Sequence, residues 1–383
     1  MAYLHTDIFS RQSSKKDGDA CGDYFAYQRD DDSITMVLSD GLGSGIKANI
    51  SAHLCVNRLL ALLKNGASLN KAFSILCKSM NKLWGKGYPF AVFTVARILN
   101  NGDATVLSYE SPPPIIIGDD FASVLSNRVF TVGKAIIYES NYKLQKDEGL
   151  LLLSDGITQA GIGKVFSYGW EIERVRNFIV NQKAQFKIDN ELIAELVHDK
   201  AKEYWGRNAG DDCTAVYAQC RNGVVLNVLS GPPADMKMDA EFVNDFIKKE
   251  GIKIVCGGTT SKVVARELNR KLTVEEDSGN SLSPPNFKID GINLVTEGVV
   301  TLNQVYNLLD EDTSDLISES SVYELNDFIL NADKINFWIG TASNPGIENI
   351  QFIQQGIIAR NKIIPLIAEK LKQKGKLVVV KEY

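Results

Sequence analysis

Two apolar runs in this chain stop at the same acidic tripeptide. VLSDGLGSG covers residues 37–45 and LLLSDGITQAG covers residues 151–161. Each reads as a buried strand that ends on Ser-Asp-Gly, at Asp40 and at Asp155. An aspartate there sits at the sheet edge with its carboxylate pointing outward. The glycines that follow, Gly41 and Gly156, allow a sharp exit and close backbone approach by a ligand. Two more acidic spots are DGDACGDYF, with Asp17, Asp19 and Asp23, and NAGDDCT, with Asp211 and Asp212 just before an apolar run. Any one Asp-Gly pair is an ordinary turn. Carboxylates converging from four segments would repel one another, and hard cations with oxygen ligands relieve that repulsion. An oxygen-only donor set favours magnesium or manganese over zinc.

The spacing around these motifs predicts a mixed fold. Residues 33–39 read as a buried strand. A helix is expected over Ile46 to Lys64, with an apolar face built from Ile46, Ile50, Leu54 and the Leu59 to Leu63 cluster, and a second over Leu69 to Leu83. Strands follow at 90–99, 104–110, 113–118 and 149–156, joined by Asn-Gly and Gly-Asp turns that suggest antiparallel pairing. Helical stretches near 170–181 and 189–205 precede a closing strand at 213–220. After the turn Arg221-Asn222-Gly223, strands and helices alternate regularly, with helices around 239–250, 260–269, 301–309 and 357–374. That alternation points to an α/β domain with a largely parallel sheet. The expected boundary is near residue 222, giving domains 1–222 and 223–383. Residues 275–288 read as a loop.

Composition narrows the partners. Of 383 residues, 44% are hydrophobic and 23% charged, and the net charge is −5. That balance gives no reason to expect a nucleic-acid or anionic-membrane partner. No stretch approaches the roughly 20 apolar residues of a membrane span, and MAYLHTDIFSRQSSKK lacks a secretory apolar core. Cys21, Cys55, Cys77, Cys213, Cys220 and Cys256 form no CxxC pair. Reduced thiols and a cytoplasmic location are the expectation. GLGSG does not meet the dinucleotide fingerprint, because position 46 is Ile. Cys21 and Cys213 each lie two positions from a motif aspartate; core packing is the simpler role, and metal-assisted oxidation of Cys21 is the sharper alternative.

The order GDY, VLSDGLGSG, LLLSDGIT, GDDCTAV resembles the metal-dependent serine/threonine phosphatases of the type 2C or PPM family, nearest the bacterial SpoIIE-like branch. The resemblance covers about residues 3–220 and implies a central antiparallel β-sandwich flanked by helices, an α/β/β/α arrangement, followed here by the smaller α/β domain. It implies that Asp23, Asp40, Asp155 and Asp211 are catalytic metal ligands, joined by the Gly41 carbonyl. It further implies two Mn2+ or Mg2+ ions, with a third open. Asp19 and Asp212 are left between a third ion and a hydrogen bond behind the ligands, with plain solvation favoured for Asp19; Asp17 reads as loop. The implied reaction is hydrolysis of phosphoserine or phosphothreonine in a bacterial signalling protein, by water activated between the metals. Where many members carry DGHGG, this chain has Leu42. His5, His53 and His198 fall outside the motifs. Arg11, Lys15, Lys16 and Arg207 are candidates for a phosphate-binding cation, each more simply a solvated side chain.

In the second domain, CGGTTSKVVAREL opens a helix after a strand. Gly257, Gly258, Thr259, Thr260 and Ser261 could present amides and hydroxyls to an anion, or form only a glycine turn with a helix cap. No Walker lysine follows. The expectation is a regulatory or docking domain, open to a small-molecule or protein regulator. The alternative to an active enzyme is a pseudophosphatase or ligand-sensing scaffold; the intact four aspartates favour activity.

Overall fold

The computed structural model describes residues 3–16, 18–43, 45–83, 90–186, 188–206, 210–275, 286–311, 320–342 and 356–383. Its contacts divide the chain into two compact units, Tyr3–Asn222 and Gly223–Tyr383.

The first unit opens with β1 (Leu4–Ser13), β2 (Asp23–Arg29) and β3 (Ser33–Gly41). Helices α1 (Ile46–Lys64) and α2 (Leu69–Leu83) follow, then β4 (Ala91–Leu99), β5 (Asp103–Tyr109), β6 (Ile115–Ile117), β7 (Ala122–Val124), β8 (Arg128–Val132), β9 (Ala135–Lys143) and β10 (Gly149–Leu153). A one-turn α3 (Asp155–Thr158), then α4 (Ile172–Gln185), α5 (Ile193–Trp205) and β11 (Cys213–Asn222) complete it. The strands form two sheets, β1-β11-β10-β6-β7 and β2-β3-β4-β5-β9-β8. Every pairing in them is antiparallel.

Three apolar layers hold this unit. Between the sheets, Ile34, Met36 and Leu38 of β3 meet Leu150, Leu152, Val216 and Ala218 from the other sheet. Outside one sheet, Val37, Val95 and Leu107 pack under Cys55, Val56, Leu59, Phe73 and Leu76 of α1 and α2. Outside the other, Leu151, Leu153, Ala215 and Tyr217 pack under Val175, Ile179, Val197 and Ala201 of α4 and α5. A strand covered on both faces needs no polar alternation, and β3 is buried at every position except Asp40. The helix-sandwich-helix arrangement expected from the motifs is the one observed.

Of the expected apolar face of α1, the Leu59 to Leu63 cluster packs inward, with Leu59 buried and Leu60, Leu62 and Leu63 partly buried against the core. The N-terminal part of that face is not buried: Ile46, Ile50 and Leu54 are 70%, 48% and 58% exposed. There the helix buries Ala48, Ser51, Ala52, Cys55 and Val56. Close approach is the reason: a Cβ on Gly41 would lie 2.0 Å from the Ala48 carbonyl oxygen. Small residues win the interface because the helix lies nearly against the end of β3, and the large ones are left outward.

The second unit contains β12 (Val225–Ser230), α6 (Asp239–Lys248), β13 (Ile252–Cys256), α7 (Gly258–Glu267), β14 (Leu272–Glu275), β15 (Asn286–Ile289), β16 (Leu294–Thr296), α8 (Val299–Leu308), α9 (Ser321–Asn331), β17 (Lys334–Ile339), α10 (Arg360–Gln373) and β18 (Leu377–Glu382). Its sheet runs β14-β15-β16-β13-β12-β17-β18. The stretch β16 to β18 is parallel, and β14-β15-β16 is antiparallel. Residues expected as a loop therefore begin and end in paired strands; 276–285 lie outside the described residues. Apolar side chains cover both faces, with α8, α9 and α10 on one and α6 and α7 on the other.

Candidate metal centre

The two sheets of the first unit bring the acidic motifs to one end. Asp23 opens β2 and Asp40 sits near the end of β3, and the strand register pairs them directly. Like charges directly opposite on neighbouring strands repel. From the second sheet, Asp155 follows β10 and Asp211 precedes β11. Asp155 does not end a strand: it is the first residue of α3. The second Ser-Asp-Gly is thus a strand-to-helix transition, and the first is a strand end.

A cavity of about 270 Å³ is lined by Asp40, Gly41, Leu42, Gly43, Phe90, Val92, Glu110, Asp155 and Asp211. Asp23 does not line it and is only 1% exposed. Its Oδ2 accepts a hydrogen bond from Thr214 Oγ1 at 2.7 Å, and its Oδ1 is buried with no partner among the described residues. Burial pushes the Asp23 carboxyl up to about 7, against hydrogen bonds from Thr214 and Ser154 and with help from the charges of Asp212 and Asp155. Burial pushes Asp40 further, to about 10, with the charges of Asp23 and Asp155 and a hydrogen bond with Asp155 adding to it. Asp211 is also raised by burial, while the Asp212 backbone N–H and the charge of Lys15 oppose the shift.

The two glycines after the aspartates serve the chain's own packing. Gly41 admits Ala48 of α1, and a Cβ on Gly156 would stand 2.0 Å from the Asp212 carbonyl oxygen. At both glycines the space a Cβ would take is filled by neighbouring backbone, and Gly41 also lines the cavity. Asp212 is buried and accepts from the backbone N–H groups of Lys15 at 2.7 Å and Gly22 at 2.9 Å. It clamps the loop before β2 to the strand that starts at Cys213. Asp19 is exposed, and its backbone N–H donates to the Lys16 carbonyl. Asp17 and Arg207 lie outside the described residues.

Other candidates are engaged elsewhere. Arg11 pairs with Glu195 on the surface at 2.8 Å. His53 stacks on Tyr24 with ring centroids 3.5 Å apart. His5 meets Tyr3 and Asp7, and His198 meets Ser13 and Asp199. Leu42, at the position where a histidine stands in many type 2C members, is exposed on the cavity wall. The Cys21 thiol is driven upward by burial and then by the charge of Asp23. Cys213 is pushed to about 12 by the same causes in the same order. Burial and the neighbouring carboxylates thus favour the neutral thiol at both, in keeping with core packing as the simpler role.

Sequence reasoning missed Glu110, Thr214 and Trp205. Trp205 Nε1 donates to the Gly156 carbonyl at 2.9 Å, bracing the turn that carries Asp155. Glu110 and Trp205 lie outside the spaced acidic motifs, and Thr214 closes NAGDDCT without being an acid; for Glu110 the strand-end position before Ser111 and three prolines was a usable signal.

The donor set suits a hard cation. It is all oxygen, the carboxyls of Asp23, Asp40 and Asp211 are pushed up by burial and neighbouring charge, and one buried oxygen of Asp23 has no partner among the described residues. Among the described residues no group of three His, Cys, Asp or Glu side chains is already drawn into a metal cage.

A family description, Stage II sporulation protein E (SpoIIE), matches residues 30–221, half of the chain. The chain belongs to the SpoIIE family. No curated protein matches it in sequence. Among solved structures it is similar to the PP2C phosphatase domain, with a fragment of the regulatory domain, of the cell-fate determinant SpoIIE from Bacillus subtilis. Identity is 17%, the TM-score is 0.50, and the match covers 58% of this chain and 65% of that one. It is also similar to the RsbU and RsbW domains of a Mycobacterium tuberculosis protein, at 14% identity and a TM-score of 0.48, covering 64% of this chain and 69% of that one. The first of these likenesses bears on the fold, and the fold is that of a PP2C-type phosphatase.

In the second unit, the five candidate anion-binding residues separate into two groups. Thr260 Oγ1 accepts from the Gly231 backbone N–H at 2.9 Å, and Ser261 Oγ donates to the Gly257 carbonyl at 2.8 Å. Both are buried. Gly257, Gly258 and Thr259 remain at the helix entrance, with Gly257 in a positive-φ conformation of 118°.

Proposed function

We propose that residues 3–222 form a metal-dependent protein phosphatase acting on phosphoserine or phosphothreonine in a bacterial signalling protein. The observation that carries this reading is the convergence of Asp23, Asp40, Asp155 and Asp211 at one end of the sandwich, with Asp23 Oδ1 buried and unpartnered. Asp23, Asp40, Asp155, Asp211 and the Gly41 carbonyl would hold two Mn2+ or Mg2+ ions. Bound there, such ions supply Lewis acidity toward phosphoryl oxygens and acidify water. The chain's own residues do the placing. Thr214 fixes one oxygen of Asp23 and leaves the other without a partner among the described residues. Asp212 pins the loop that delivers Asp23. Gln159 Nε2 donates to Asp155 Oδ2 at 2.8 Å and sets its rotamer. Phe90, Val92 and Leu42 give the cavity an apolar wall.

The test is phosphate release by the purified full chain with Mn2+ or Mg2+, first from p-nitrophenyl phosphate and then from phosphoserine and phosphothreonine peptides. Asp40→Asn serves as the inactive control. No metal-dependent release from any of them would refute the reading and leave a binding scaffold.

A regulatory role for the second unit has its own support. In its parallel sheet the chain order reverses between β12 and β17, the position where open α/β sheets take ligands. The guanidinium of Arg360 is packed there against Gly231 and donates to the Gly340 and Ala342 carbonyls. Thermal-shift measurements on the full chain with inorganic phosphate and nucleotides test this; no shift for the whole panel counts against an anion regulator.

A further inference from the structure

The acidic cavity has one carboxylate that the metal reading does not use. Glu110 lines it together with Asp40, Asp155 and Asp211. It follows β5 and leads into Ser111 and three prolines. Its backbone φ is +50°, a left-handed conformation that glycine adopts freely and that asparagine or aspartate tolerate better than glutamate. The side chain is exposed and makes no hydrogen bond or ion pair with any described residue. Nothing local therefore offsets the unfavourable backbone. A long acidic side chain kept where glycine would fit best points to use of the carboxylate.

Its place says what that use is. The charges acting most strongly on Asp40 are those of Asp23, Asp155 and Asp211. Glu110 is the solvent-exposed acid of the lining, at the mouth. Among the lining residues there is no lysine or arginine. A phosphorylated side chain entering this cavity brings its dianion to the floor, where the proposed ions lie. The residues flanking that side chain must remain at the mouth, beside Glu110. A carboxylate there attracts a flanking cation and repels a flanking anion, so it discriminates by both attraction and repulsion.

We infer that Glu110 is a specificity-determining residue that selects phosphoserine or phosphothreonine segments carrying a lysine or arginine near the phosphorylated residue. The inference rests on the phosphatase reading above. Glu110 touches the substrate's flank and not the reacting phosphoryl group.

The test uses the full chain with Mn2+ and a panel of phosphoserine peptides in one neutral background. A single Lys or Glu is walked through the three positions on either side of the phosphoserine. The wild-type protein is expected to favour Lys over Glu at one or more positions by about 3- to 10-fold in kcat/KM, the range of a partly exposed ion pair gained plus a repulsion removed. The difference should reside in KM. In Glu110→Gln the ratio should fall to near one, and in Glu110→Lys it should invert. Glu110→Gly removes the carboxylate while relaxing the backbone, so it guards against misfolding and should lose the preference as the glutamine variant does. Competition of the same peptides against p-nitrophenyl phosphate in the wild type and in Glu110→Gln provides a second readout and should show the same ratio in the inhibition constants.

A Lys preference that survives in Glu110→Gln and Glu110→Gly overturns the inference, as does hydrolysis of all peptides by the wild type without preference. Those two outcomes leave the phosphatase reading standing. Failure of the wild type to hydrolyse p-nitrophenyl phosphate or any peptide overturns both.

Discussion

Asp40 offers a quantitative test of the crowded carboxylates. Burial and neighbouring charge raise its pKa from 3.8 to about 10. A folded-state pKa above the unfolded one means that the folded protein holds the proton more tightly. Stability is then fully present below the unfolded value and declines as pH rises toward the folded value. Between pH 5 and pH 8 the unfolded chain has lost this proton while the folded chain keeps it. Three pH units at about 1.4 kcal/mol each make a loss of about 4 kcal/mol. Asp40→Asn removes that titration. In EDTA, the variant should gain stability relative to wild type between pH 5 and pH 8, by about 4 kcal/mol from Asp40 itself, with the altered titration of neighbouring Asp23 added to it. For a unit of roughly 220 residues this corresponds to about 8–16 °C in Tm. The assay is scanning calorimetry of both proteins at both pH values, with EDTA and with Mn2+. At pH 8, Mn2+ at 100 times its dissociation constant should add about 2.7 kcal/mol to the wild type, and little to Asp40→Asn. At pH 5 protons compete and the wild-type gain should shrink. Parallel pH dependence of the two proteins in EDTA, or equal stabilisation by Mn2+, would refute the reasoning.

The other predictions concern support around the site. Gly41→Ala should destabilise by about 3 kcal/mol or more, because its Cβ would meet Ala48 backbone at 2.0 Å, read by urea unfolding. Asp212→Ala should reduce Mn2+ affinity about 10- to 100-fold by calorimetry, since it frees the Lys15 and Gly22 amides that position the loop before Asp23. Trp205→Phe should cost about 1 kcal/mol through loss of its hydrogen bond to Gly156, with a modest fall in metal affinity. Peroxide should inactivate wild type and Cys21→Ser at equal rates, because burial and nearby carboxylates hold that thiol protonated; protection by the serine would contradict this.

What the sequence made legible follows from how each feature is encoded. Asp40 and Asp155 could be found because a strand buried on both faces has a long apolar run, and its end is abrupt. Helix α1 was located to the residue and its Leu59 to Leu63 end was read as inward, but the buried face of its first half was not. Periodicity ranks faces by hydrophobicity, whereas Gly41 and Ala48 select the face by how closely backbones approach. The hairpin β8–β9 was not anticipated: β8 is short and largely exposed, so its Val and Phe side chains mark no buried strand. Helix α9 was also missed, although Val322, Leu325 and Ile329 supply a helical spacing. In the site, the motif aspartates were readable from their Gly neighbours. Glu110 was not, because its distinguishing property is a backbone angle.

The distribution of the acids over the sandwich gives the metal reading a structural consequence. Asp23 and Asp40 belong to one sheet, and Asp155 and Asp211 flank strands of the other. The apolar layer between the sheets holds them face to face along their length, but at this end carboxylates confront one another. Two polar ties already cross there, from Thr214 to Asp23 and from Gly22 to Asp212. Neither neutralises charge. A cation bound by acids from both sheets would turn the most repulsive end of the sandwich into a cross-link, so metal affinity and the closure of that end become one equilibrium. Linkage then requires that any ligand or partner altering the spacing of the two sheets at this end alter metal affinity by the same factor as the metal alters its own binding. The exposed ridge Leu42, Ile46, Ile50 and Leu54 starts at the cavity wall and runs along α1. Pressure on that ridge is transmitted to Asp40 through the contact of Gly41 with Ala48. Ile50→Glu, which is distant from the ligands but on that face, should leave metal affinity of the isolated protein within about twofold. Gly41→Ala, which widens the helix–strand contact itself, should lower it by far more. Equal effects of the two would show that the spacing at Gly41 does not set the metal site.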